Sequence, residues 1–123
     1  MKRVLVIEDQ KPVWDSIGEI LELAGCSVHL IGDGQAALND LLEAKYDLIT
    51  LDLNMPSLDG VSMLETLVTQ DGPNSTTPVI VVSAYLSPAT IDAIGQLGVQ
   101  HHLSKPFEAE ALLEPVRKLL QLG

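Results

Sequence analysis

The sequence predicts an α/β fold: a doubly wound, five-stranded parallel sheet built as (βα)5. Three observations predict it. Five apolar, β-branched runs recur along the 123 residues, and amphipathic segments separate them. Three of the runs are also too continuously apolar for a sheet with one solvated face.

Those three runs, Val4 to Ile7, Leu48 to Leu51 and Val79 to Val82, read as central strands. Val28 to Ile31 and Val99 to Leu103 are interrupted by His29, Gln100, His101 and His102, as edge strands commonly are. Between the strands, Val13, Ile17, Ile20, Leu21 and Ala24 keep helical spacing, with Pro12 suited to the first helical position and Gly25 to the stop. Ala37, Leu38, Leu41 and Leu42 mark a second helix, and Val61, Leu64, Leu67 and Val68 a third. Ile91, Ile94 and Leu97, closed by Gly98, mark a fourth. Leu112, Leu113, Val116, Leu119 and Leu120 mark a fifth, in which Pro115 predicts a kink near Ala111. The polar stretch Asp71 to Thr77 reads as a surface loop. With no internal repeat, linker or low-complexity tract, residues 1–123 read as one domain. A five-stranded doubly wound sheet commonly runs 2-1-3-4-5, with its ligand crevice at the carboxyl ends of strands 1 and 3.

Composition narrows the classes further. Hydrophobic residues make up 46% and charged residues 20% of the chain, which suits a globular domain and excludes a disordered or fibrous one. No apolar run approaches the ~18 residues of a membrane span. Lys2 and Arg3 precede an apolar run, but Glu8 and Asp9 end it before a signal-peptide core forms, so a cytoplasmic location is expected. Seven basic against seventeen acidic residues leave a formal charge of −10, which repels phosphate backbones and anionic lipid. Direct nucleic-acid binding and membrane insertion are therefore not expected. Cys26, the single cysteine, reads as a packing residue, and Trp14 reads either as packing or as a partner contact.

The unusual polar residues fall at one end of the predicted sheet. Glu8 and Asp9 follow the first strand, Asp52 the third, Ser83 ends the fourth, and Lys105-Pro106 follows the fifth. Strands 1 and 3 are neighbours in the order above, so three carboxylates converge and repel one another unless a cation sits among them. A hard divalent ion with oxygen ligands resolves that repulsion, and magnesium needs only one or two carboxylates. Each residue also has an ordinary explanation. Asp9 or Asp52 alone suits a helix cap or turn, Ser83 a strand end, and Lys105 a solvated loop fixed by the following proline. The conjunction at the ends of four strands is what favours a site.

Glu8-Asp9, the run Leu51-Asp52-Leu53-Asn54-Met55-Pro56, Asp59-Gly60, Ser83-Ala84 and Lys105-Pro106-Phe107 closely resemble the motifs of response-regulator receiver domains of two-component signalling, in particular the chemotaxis-regulator-like single domains. The resemblance covers nearly the whole chain and implies a flavodoxin-like fold. It implies that Asp52 is the phosphoacceptor, with Asp9 and the Asn54 backbone carbonyl joining it on magnesium, or manganese in its place, and Glu8 reaching the ion through water. It further implies that Ser83 binds a phosphoryl oxygen, that Ala84 is the small residue beside it, and that Lys105 pairs with the phosphoryl group. His102, three residues before Lys105, falls at the family's switch position, though it also fits an ordinary edge-strand residue. The implied donors are a sensor histidine kinase or a histidine phosphotransfer protein, and the implied output is a docking face for a downstream protein.

Three other functions compete with this one. A strand-end Asp with magnesium also serves the haloacid-dehalogenase phosphatases, but they need a second Asp two residues on, where this chain has Asn54. A flavodoxin-type electron carrier would need a Ser/Thr/Gly-rich phosphate loop after the first strand, and acidic residues stand there instead. A receiver-shaped interaction module that works without phosphorylation is the remaining alternative. The chain carries no DNA-binding or catalytic output segment, so it is expected to act as a lone receiver or as part of a longer regulator.

Overall fold

Burying a parallel sheet on both faces requires helical crossovers on both sides, and the alternation of runs in this chain supplies them. The computed structural model describes residues 1–56 and 58–122, with Leu58 described by its backbone alone. The elements in chain order are β1 (Arg3–Ile7), α1 (Lys11–Leu23), β2 (Ser27–Ile31), α2 (Gly34–Leu41), β3 (Leu48–Leu51), β4 (Asn54–Met55), β5 (Leu58–Asp59), α3 (Gly60–Thr69), β6 (Val79–Ser83), α4 (Pro88–Gln96), β7 (His101–Ser104) and α5 (Ala109–Leu120). Five strands form one parallel sheet in the order β2-β1-β3-β6-β7, the 2-1-3-4-5 arrangement expected when only that sheet's strands are counted. The remaining pair, β4 and β5, makes a small antiparallel hairpin that the hydrophobic pattern does not announce.

Alternate residues of the sheet serve two cores. Leu5, Ile7, Ile49, Leu51 and Val81 pack with Ala37, Leu41, Met63, Leu64, Leu67 and Ile94 of α2, α3 and α4. Val4, Val6, Leu48, Ile80 and Val82 pack on the other face with Ile17, Leu21, Leu112, Val116 and Leu120 of α1 and α5. Cys26 is buried in the second core as a free thiol. Pro12 opens α1, and Gly25 and Gly98, at φ +90° and +96°, take the left-handed conformation just past α1 and α4. Trp14 is half-buried and packs over Gly32, where an added Cβ would lie 2.9 Å from the indole edge.

Two expectations need correction. The last strand begins at His101, so Val99 and Gln100 precede it, Val99 being buried under α4 rather than paired. The stretch from Asp71 to Thr77 is not simply a surface loop, because Asn74 and Thr77 are buried. Asn74 Nδ2 donates to the carbonyls of Leu41 (2.7 Å) and Ala44 (2.6 Å), and its Oδ1 accepts from Tyr46 N (2.9 Å). The loop thereby satisfies carbonyls left over at the end of α2, which no sequence periodicity reveals. The helix α5 runs through the buried Pro115 as far as Leu120, so the proline does not end it. Among the described residues, no helix is long and apolar enough to cross a membrane.

Candidate functional site

The sheet carries the polar residues of interest to one edge, and its hydrogen-bond ladder continues just far enough to fix them. Glu8 N donates to Ile31 O (3.2 Å), Asp52 N to Ile7 O (3.0 Å) and Lys105 N to Ser83 O (2.9 Å), each one residue past a strand end. Backbone pairing therefore holds Glu8, Asp52 and Lys105 as rigidly as the strands themselves. Glu8, Asp9 and Asp52 each offer a carboxylate oxygen within 4.8 Å of the others. Glu8 and Asp52 are buried, whereas Asp9 is exposed.

Lys105 is the cation among them. Its Nζ lies 2.8 Å from Glu8 Oε1 and 3.1 Å from Asp52 Oδ2, and it donates to Gln10 Oε1 at 3.3 Å. Burial alone would lower the Lys105 pKa, but the bonds and charges of Glu8 and Asp52 together carry it above its ordinary value. Glu8 is pushed up as well, because the cost of burial outweighs the help from Lys105 and from the Gln10 backbone N–H. The two shifts are consistent: the amine is better served by two carboxylates than the buried carboxylate is by one shared amine. Among the described residues the Lys105 ammonium, at 2.8 Å, is the group that meets Glu8 Oε1.

This donor set fits a hard divalent cation. Three carboxylates converge on a single ammonium that pairs with only two of them, every available ligand is oxygen, and a buried carboxylate oxygen is left incompletely satisfied. Within this cluster Asp9 is the exposed carboxylate, and Glu8 and Asp52 are the buried ones.

Asn54 occupies a second position of influence. Its backbone N–H donates to Asp52 Oδ1 (2.9 Å), and its side-chain Nδ2 donates to Ser83 Oγ (2.6 Å). The fully buried Ser83 also directs its hydroxyl toward Tyr85 O, at 3.4 Å. The hairpin of β4 and β5 aims Asn54 this way. Gly60 closes that hairpin against Leu53 so tightly that a Cβ there would sit 2.6 Å from Leu53 Cα.

The structure thus gathers Glu8, Asp9, Asp52, Asn54, Ser83 and Lys105, but not His102. His102 is exposed on the edge strand β7, paired in register with Val81, and faces a groove shared with Ala111, Glu114 and Lys118. Sequence reasoning missed Gln10 and the Asn54 carboxamide. Gln10 stands at the N-cap of α1 yet makes no capping bond, its side chain being spent on Lys105. A glutamine at a position that usually rewards Ser, Thr, Asp or Asn was the available signal.

Comparison with known proteins gives concordant results. A family model for the response regulator receiver domain matches residues 4–117. The transcriptional regulatory protein PrrA of Mycobacterium leprae is 39% identical over 119 residues, covering 97% of this chain and 50% of that protein. The chain spans about half the length of such curated relatives. Among solved structures, the receiver domain of Francisella response regulator 1452 superposes with a TM-score of 0.87 at 34% identity over 98% of both chains. The receiver domain of the sensor histidine kinase PA1611 from Pseudomonas aeruginosa PAO1, which has magnesium coordinated in its active site cleft, gives 0.86 at 26% identity over 98% of both chains. A match that leaves only the chain ends outside it shows that this protein belongs to the response regulator receiver domain family.

Proposed function

We propose that this receiver domain is a signalling switch that takes a phosphoryl group onto Asp52. The observation that carries the proposal is the setting of that carboxylate. Asp52 is 4% exposed, its Oδ1 is held by Asn54 N–H, and its Oδ2 faces the Lys105 ammonium. A carboxylate oriented in this way is a nucleophile already in place. Transfer forms a P–O bond to Asp52 while the P–N bond of a phosphohistidine donor breaks. The electron pair stays on the donor imidazole, which takes up a proton. Lys105 turns from Asp52 Oδ2 to the incoming phosphoryl oxygens, and the Ser83 hydroxyl donates to one of them, so both offset charge that builds on the equatorial oxygens. Magnesium or manganese, held by Asp9, Asp52 and the Asn54 carbonyl with Glu8 acting through water, would supply the further positive charge that the phosphoryl oxygens require. The chain acts on itself in this scheme, as an acceptor rather than a turnover enzyme.

The donor we infer is a sensor histidine kinase or a histidine phosphotransfer protein. An apolar hollow of about 400 Å3 opens beside Lys105, lined by Pro12, Val13, Ala84, Pro106 and Phe107, and gives a donor a place to rest its side chains. The downstream partner is a protein that reads the face carrying His102, whose ring would swing inward as Ser83 moves. Incubation with acetyl phosphate and magnesium, followed by intact-mass measurement, tests the scheme. Wild type should gain one phosphoryl group and Asp52→Asn none. Equal gain in both proteins would refute Asp52 as the acceptor.

A further inference from the structure

A serine hydroxyl has one proton to give and two lone pairs to offer, so its partners show what it is committed to. Ser83 Oγ accepts from Asn54 Nδ2 at 2.6 Å, just under the usual N–H···O range, while its own proton points to Tyr85 O across a long 3.4 Å. Its strong bond is therefore the one that it accepts. Ser83 is fully buried and cannot exchange that partner for water, whereas Asn54 is exposed and can.

We propose that the Asn54 carboxamide is a latch that holds the Ser83 hydroxyl in the unmodified arrangement and opposes its move to the phosphoryl group. The inference rests on the reading of Asp52 as phosphoacceptor. Two further features tie the latch to Asp52. Asn54 N–H donates to Asp52 Oδ1, so the residue that holds Ser83 is itself anchored on the carboxylate that becomes modified. Phosphorylation turns that carboxylate into an acyl phosphate whose remaining carboxyl oxygen is an uncharged carbonyl, and a hydrogen bond to a neutral oxygen is weaker than one to an ion. Asn54 also belongs to a hairpin of two-residue strands, whose pairing alone is marginal and yields easily. Modification thus loosens the anchor, the anchor releases the carboxamide, and Ser83 Oγ becomes free to follow a phosphoryl oxygen. Asn54 is a positioning residue in this account, since its carboxamide acts through Ser83.

A double-mutant cycle tests the latch. Beryllofluoride with magnesium serves as the phosphoryl mimic, and its affinity is read from backbone amide shifts by NMR in wild type, Asn54→Ala, Ser83→Ala and the double variant. Asn54→Ala should bind the mimic about two- to tenfold more tightly than wild type, the range set by one net hydrogen bond. In the Ser83→Ala background the same substitution should change nothing. A second readout needs no mimic: the side-chain amide resonances of Asn54 should shift when Ser83 is replaced by Ala. Weaker binding by Asn54→Ala, an equal effect in both backgrounds, or unmoved Asn54 amide resonances would each overturn the latch. If wild type binds no mimic and takes no phosphoryl group, the acceptor reading itself fails and the latch falls with it.

Discussion

Lys105 and Tyr46 show how differently a half-buried and a buried polar residue are used in the same small domain. Lys105 is stretched between Glu8, Asp52 and Gln10, so it is held by charge and can be redirected without breaking any packing. Tyr46 is locked: its hydroxyl donates to Asp40, the Arg3 guanidinium lies 4.7 Å over its ring, and its backbone N–H is held by Asn74. Burial first, and then the Asp40 acceptor, push the phenol from 10.0 up to about 12. Between those values the folded protein keeps a proton that the unfolded chain releases. Stability contributed below pH 10 is therefore lost as pH rises toward 12. Urea midpoints should fall across that window by an amount equivalent to on the order of 2 kcal/mol, and Tyr46→Phe should remove most of the decline. An identical decline in Tyr46→Phe would place the titrating group elsewhere. At this scale the sequence revealed what strand ends reveal. Glu8, Asp9, Asp52, Ser83 and Lys105 could be placed because each sits at a boundary that the apolar runs define. Gln10 and the Asn54 carboxamide could not, because their roles depend on rotamers and on contacts across strands.

The hairpin of β4 and β5 is the element that turns a strand end into a site. Two-residue strands carry no periodicity, so nothing in the pattern from Asn54 to Asp59 announces them. What the sequence does show there is Asp59-Gly60, and the structure explains both residues. Asp59 caps α3 by accepting from Val61 N at 3.1 Å, and Gly60 lets α3 begin directly against Leu53. Gly60→Ala would place a Cβ 2.6 Å from Leu53 Cα and 3.1 Å from its carbonyl oxygen, so backbone must move. Denaturant unfolding should show a loss of about 1–3 kcal/mol, with the amide resonances of Asp52 and Asn54 displaced. A variant as stable as wild type, with those resonances unmoved, would show that the hairpin does not depend on this close approach. The long elements were legible for the opposite reason. In α1, Pro12 and Gly25 bracket a regular apolar stripe, and in β1, β3 and β6 continuous apolar runs match burial on both faces.

Across the whole molecule, a charge of −10 is compatible with a stable core because most carboxylates remain in water, while Glu8, Asp9 and Asp52 are concentrated at the carboxyl edge of the sheet. The parallel topology causes this concentration, since neighbouring strands 1 and 3 deliver their trailing residues to the same place. Their mutual repulsion should make magnesium stabilising even before any modification. At about a hundredfold excess over its dissociation constant, the ion should raise the melting temperature by on the order of 10 °C. Sodium chloride at matched ionic strength should do much less, and Asp9→Ala, which removes an exposed carboxylate proposed as a ligand and no core contact, should abolish most of the shift. An undiminished shift in Asp9→Ala would defeat the ligand set. The central claim is that these features exist to modify Asp52, and borohydride trapping addresses it most directly. Reduction of the acyl phosphate after treatment with acetyl phosphate and magnesium, followed by peptide mapping, should find homoserine at position 52 and at no other acidic residue. Homoserine at Asp9 or 5-hydroxynorvaline at Glu8, with Asp52 intact, would contradict the account.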